Sequence, residues 1–86
     1  MKRYKVQFRE KALKELNSLD AQIVKRIWPK IWALAENPRP PGCKKLSGCD
    51  DMWRIRIGDY RVLYTIDDMG TIVIIAMVAH RGGAYR

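Results

Sequence analysis

Histidine occurs once in these 86 residues and cysteine twice, and nine acidic side chains face seventeen lysines and arginines. That scarcity leaves few ways to build a metal centre. Cys43 and Cys49 are separated by five residues, neither a zinc-ligand nor a redox-pair spacing, and His80 alone cannot complete a ligand set. No metal and no cofactor are therefore expected, and two unpatterned thiols suit a reducing cytoplasmic setting. No segment approaches the roughly 18 apolar residues of a membrane span. The start, Met1 to Phe8, lacks the apolar stretch of a secretory signal, so no membrane association is expected. Repeats and low-complexity linkers are absent too, and the length leaves room for one domain, 1–86.

What is present is a globular composition with a large positive charge. Hydrophobic residues make up 48% of the chain, which favours a packed core over disorder. The formal charge is +8 and the isoelectric point is near 9.9, more than solubility requires. Excess charge of that sign points to a polyanionic partner: nucleic acid, a ribosome, an acidic membrane surface or an acidic protein.

Tyr4 to Phe8 alternates apolar and polar, as a half-buried strand does. Arg9 to about Asn17 places Ala12, Leu13 and Leu16 on one helical face. Asp20 can cap a second helix reaching about Glu36, with Ile23, Val24, Ile27, Trp28, Ile31 and Trp32 at helical spacing. Pro29 within that run should kink or break the helix near Trp28. At this spacing the tryptophans read as core or partner-facing. Asn37-Pro38-Arg39-Pro40-Pro41-Gly42 stops the helix and begins an extended loop. Alternation returns over Met52 to Ile57, Tyr60 to Asp67 and Thr71 to Ala79, with turns at Gly58-Asp59 and at Asp67 to Gly70. The order β-α-α-β-β-β predicts an α+β domain: a small antiparallel sheet with two N-terminal helices packed on one face.

A two-residue turn at Gly58-Asp59 sets Arg56 directly opposite Arg61, with Arg54 on the same face two residues back. Trp53, Ile55, Ile57, Tyr60, Val62 and Tyr64 fall on the other face, the natural seat for the helices. Like charges opposed across a ladder weaken it, and a bound polyanion would offset the repulsion. From Asp51 onward every cation is arginine, whose planar fork grips phosphate bidentately. The second hairpin should bring His80 and Arg81 to the same end of the sheet. The same spacing also allows a simpler reading, a solvated basic face with a hydrogen-bonded histidine at its edge.

Met52-Trp53-Arg54-Ile55-Arg56-Ile57-Gly58-Asp59-Tyr60-Arg61-Val62-Leu63-Tyr64 resembles the core of RelE toxins in the RelE/ParE superfamily. Glu36 to Gly48 before it, and His80-Arg81 with Tyr85 after it, fit in the same order, so the resemblance spans essentially the whole chain. It implies a toxin of a type II toxin–antitoxin system: an endoribonuclease that enters the ribosomal A site, cuts messenger RNA without a metal and is silenced by a RelB-like antitoxin. In that chemistry the RNA 2′-hydroxyl attacks the adjacent phosphate, which calls for a base, cations around the phosphorane and an acid for the leaving oxygen.

The resemblance assigns phosphate contact to Arg54 and Arg56, joined by Lys44 and Lys45 in substrate binding. It assigns catalytic positions to Arg61, Arg81 and Tyr85. The described RelE pattern carries lysines where this chain has Arg54 and Arg56, and arginine does not readily release a proton. Proton transfer then rests on Tyr85 or His80, with Tyr85 the expected base and His80 an orienting or secondary acid–base group. Three alternatives remain open: a ParE-like gyrase inhibitor without nuclease activity, a non-catalytic RNA-binding module, and a degenerate toxin that keeps only antitoxin binding.

Overall fold

Period-2 and helical patterning give seven elements in a computed structural model that describes residues 3–46 and 51–80. These are β1 (Lys5–Phe8), α1 (Glu10–Asn17), α2 (Ala21–Ala33), β2 (Lys44–Lys45), β3 (Met52–Ile57), β4 (Tyr60–Asp67) and β5 (Ile72–His80). The pairs β2–β3, β3–β4 and β4–β5 are antiparallel, as short connections require. The α+β class expected from the sequence holds, but the sheet is mixed. β1 runs parallel to β5, giving the order β1-β5-β4-β3-β2. Parallel partners need a long connection, and here both helices and the β3–β4 hairpin supply it.

The helices cover one face of this sheet. Leu16, Ile27, Ile31 and Leu34 from the helical side meet Ile55, Val62, Tyr64 and Ile75 from the strands in a single buried cluster. The break expected at Pro29 does not occur: α2 is continuous from Ala21 to Ala33, with Pro29 on its exposed side. The proline costs the helix one rung, and burial of Ile27 and Ile31 on the opposite face holds the turns on either side. Trp28 stacks on Trp32 at 5.3 Å, Phe8 meets both rings edge-on, and Trp32 remains 52% exposed.

β5 has to serve two neighbours, and one extra residue lets it do so. Leu63 pairs with Met77 while Tyr64 pairs with Ile75, so Ala76 is a bulge. Val73, Ile75 and Val78 thereby all face the core, although 75 and 78 lie an odd number apart. β1 ends opposite Ile75, and α1 takes over beyond it: the Val78 N–H donates to the Glu15 carboxylate at 3.0 Å.

The loop after α2 is tied down at two points. Buried Tyr64 donates its hydroxyl to the Pro38 carbonyl at 2.8 Å. Burial raises its pKa well above the ordinary phenol range, and neighbouring Cys43 adds to the shift. Arg39 forks onto Asp68 at 2.9 and 3.2 Å, and its guanidinium lies 5.0 Å from the centre of the Trp53 ring. Asp68 also accepts the Tyr4 hydroxyl at 2.7 Å, which raises the phenol's pKa. Asp68 in turn raises that of Arg39.

Candidate phosphate-binding face

The face of the sheet turned away from the helices carries two rows of side chains. Lys44, Arg54, Leu63 and Met77 pair successively across one row, and Arg56, Arg61 and Ala79 across the next. The Gly58-Asp59 turn fixes this register. Gly58 takes φ +59°, the left-handed conformation that the first position of such a turn uses glycine to reach. The expected opposition of Arg56 and Arg61 is therefore present. Lys44 joins the arginines, whereas Lys45 pairs with Trp53 and lies on the other face.

The three arginines are not equivalent. Arg56 is exposed, while Arg54 and Arg61 are half-buried with their Nε atoms shut off from solvent. Leu63 sits between them on a face without helices, yet it is only 7% exposed and stands apart from the main core cluster. Arg54 across the ladder and Arg61 two residues before it are the long side chains placed to cover it. Arg54 and Arg56 have no acidic partner within 4 Å among the described residues. Arg56, Gly58, Asp59, Tyr60 and Arg61 line a hollow of about 100 Å³ at the turn.

His80 reaches the expected end of the sheet on the opposite face. It pairs with Tyr60, so it shares the helix side with Tyr60 and Ile57, and its ring stands perpendicular to Tyr60 at 5.3 Å. The Ala76 bulge is the cause, because one extra residue reverses the facing of everything after it. Arg81 and Tyr85, with the Gly82-Gly83 pair between them, lie outside the described residues, as does Cys49. Among the described residues no group of three His, Cys, Asp or Glu could hold a metal ion. No helix there is long and apolar enough to cross a membrane.

Sequence reasoning passed over Arg26 and Asp59. They line a larger cavity of about 250 Å³ beneath the same turn, with Tyr60 and His80. The sequence reading takes Asp59 only as part of a turn and gives Arg26 no role. Helical phase was the usable signal, since Arg26 lies one turn before Lys30 on α2 and close to Ile23 and Ile27.

A family model described as the ParE toxin of the type II parDE toxin–antitoxin system matches residues 6–85. The chain is 33% identical over 87 residues to the putative toxin RelE1 of Methanocaldococcus jannaschii, covering 98% of this chain and 97% of that protein. It is 30% identical over 80 residues to the mRNA interferase toxin RelE of Escherichia coli K12, covering 91% and 83%. The archaeal RelE–RelB complex from Pyrococcus horikoshii contains a chain that superposes with a TM-score of 0.81 at 30% identity, covering 98% of this chain and all of that one. The chain belongs to the RelE/ParE family and is of the RelE type. Within a RelE-type toxin, the row Lys44–Arg54 and the pair Arg56–Arg61 form the cationic side of the sheet, left open by both helices.

Proposed function

We propose that this RelE-type chain is a ribosome-dependent endoribonuclease that cuts messenger RNA in the A site, as the toxin of a type II toxin–antitoxin pair. The observation that carries the reading is the open sheet face on which Arg54, Arg56, Arg61 and Lys44 converge. In the proposed mechanism the 2′-hydroxyl attacks the adjacent phosphorus. Negative charge grows on the non-bridging oxygens, and the 5′-oxygen leaves with a proton. Fixed cations stabilise that charge where it develops. Arg61 and Arg81 would face the phosphorane, with Arg54, Arg56 and Lys44 holding the backbone on either side.

Tyr85 is the proposed general base, with its phenolate favoured by the surrounding arginines. The position of His80 beside Tyr60 supports a secondary role, since the Arg56–Arg61 pair lies on the opposite side of the sheet. No metal enters this scheme. The proposed partners are the ribosome, messenger RNA and a RelB-like antitoxin with acidic surface to mask a +8 chain in the cytoplasm.

The test adds the purified protein to programmed ribosomes and maps cleavage by primer extension. Cuts within the A-site codon that leave a cyclic phosphate are expected. A 3′-hydroxyl end would overturn metal-independent attack. Intact message together with inhibited DNA gyrase would replace the nuclease with a gyrase poison.

A further inference from the structure

β5 loses its outer neighbour part-way along its length. β1 pairs with it from Ile72 to Ile75 and ends there, while β5 runs on to His80. The Ala76 bulge falls at this point and re-aims everything that follows. In the ladder beyond it only alternate residues turn their N–H toward β4, and the others face the side that β1 has left. Val78 is one of these, in a residue only 2% exposed. An amide buried there without a partner would forfeit its hydration for nothing in return.

Glu15 of α1 supplies the partner. Its carboxylate accepts the Val78 N–H at 3.0 Å, from 63 positions away in sequence. Ala12 and Leu16 of the same helix are wholly buried, so the acceptor stands on a fixed base. Glu10, Glu36 and Asp68 engage cations, whereas Glu15 forms no ion pair within 4 Å among the described residues. In a chain with seventeen lysines and arginines, this carboxylate goes to the main chain. A charged acceptor makes that bond stronger than a neutral one would.

We infer that Glu15 is a positioning residue of the cleavage site: its carboxylate holds β5 in the bulged register and so sets how the strand's end meets Arg61. The inference rests on the reading of this chain as a ribosomal nuclease, in which Arg81 follows His80 directly. The Ile75 carbonyl accepts the Arg9 N–H, so Ile75 turns its main chain outward. Val78 lies three residues later, and in a strand without the bulge its N–H would turn to β4. The bond to Glu15 therefore exists in the bulged register alone. A slip by one residue would reverse the facing of residues 77–80. His80 would leave Tyr60 for the arginine side, and Ala79 would leave its place across from Arg61.

The experiment sets three variants against two readouts. Glu15→Gln keeps an acceptor oxygen at the same reach, Glu15→Leu fills the space without one, and Glu15→Asp keeps the charge but is one methylene short. NMR follows hydrogen exchange of the Val78 amide and the ring contact between His80 and Tyr60. Both should persist in Glu15→Gln and be lost in Glu15→Leu and Glu15→Asp. Single-turnover cleavage on ribosomes, run well below the unfolding midpoint, should divide the variants the same way. The maximal rate should fall about 10- to 100-fold in Glu15→Leu and Glu15→Asp, the usual scale for a small misplacement, with the half-saturating toxin concentration unchanged. Glu15→Gln should rescue most of the rate. A wild-type rate in a variant that has lost Val78 protection overturns the inference and leaves Glu15 a stabiliser of the fold. A Glu15→Gln as damaged as Glu15→Leu overturns it too, since charge and not the acceptor would then matter. If Glu15→Leu does not fold, the contrast between Glu15→Asp and Glu15→Gln decides. A wild type that leaves the message intact overturns the nuclease reading, while exchange and the His80–Tyr60 contact still show whether Glu15 sets the register.

Discussion

Arg39, in the loop after α2, and Arg56, in β3, stand in opposite circumstances. Arg39 is held by two hydrogen bonds to Asp68 and packs over Trp53, joining the loop after α2 to the β4–β5 turn. Arg56 stands exposed with Arg61 directly across the ladder and no acidic partner within 4 Å among the described residues. One arginine closes the fold, while the other strains its strand pairing and leaves its donors available. Cations that a chain uses for itself come with a carboxylate, and cations kept for a polyanion are clustered without one.

The sharpest way to break this comparison is Arg61→Ala. Ribosomal cleavage should fall about 100- to 1000-fold, the usual loss for a preorganised charge donor. Single-turnover rates check it, with circular dichroism to show that the fold persists. Near-wild-type rates would remove Arg61 from the site.

Tyr64→Phe should do the reverse. It leaves the Pro38 carbonyl without its buried donor, costing about 1–3 kcal/mol in urea unfolding while cleavage stays close to normal. The same residue sets a pH limit. A phenol whose folded pKa is raised contributes stability that is complete below its unfolded value near 10 and is lost as pH rises through the folded one. Stability of the wild type should therefore decline above about pH 10, and Tyr64→Phe should flatten that decline. An unchanged slope would show that the buried phenol does not govern it.

Arg39→Ala should cost at most about 1 kcal/mol, since the pair is partly exposed, and added salt should narrow the difference. Cleavage should be unaffected. The smallest effect has the opposite sign: Arg56→Thr removes a like-charge pair and should stabilise the fold by about 0.2–1 kcal/mol while slowing cleavage. Salt should stabilise the wild type more than this variant. A destabilised Arg56→Thr would mean that the opposed arginines do not repel.

Much of this molecule is legible in sequence because the relevant physics is local. Alternation locates β3 and β4 to the residue, and Gly58-Asp59 fixes their register, which places Arg54, Arg56 and Arg61 on one face. Legibility ends where local signals end. Ile72 to Ala79 is apolar throughout, so the alternation expected over Thr71 to Ala79 is not there to set the facing, and nothing marks Ala76 as the extra residue. His80 consequently lands with Tyr60 and not with Arg61. The parallel union of β1 with β5, and the contact of Tyr4 with Asp68 across 64 positions, depend on distant chain meeting in space. Lys44–Lys45 forms too short a strand for any pattern, and its pairing separates the two lysines onto opposite faces.

Leu63 has a consequence for how the arginine face meets a ligand. A long, freely rotating side chain loses about 0.5–1.5 kcal/mol of conformational freedom when a ligand immobilises it. Arg54 and Arg61 lie beside a leucine that is almost fully covered, so part of that ordering accompanies folding itself. A single apolar residue beneath the charges thus acts as a mould, setting two guanidinium groups in place before any phosphate arrives, while exposed Arg56 keeps the freedom to follow the backbone it meets.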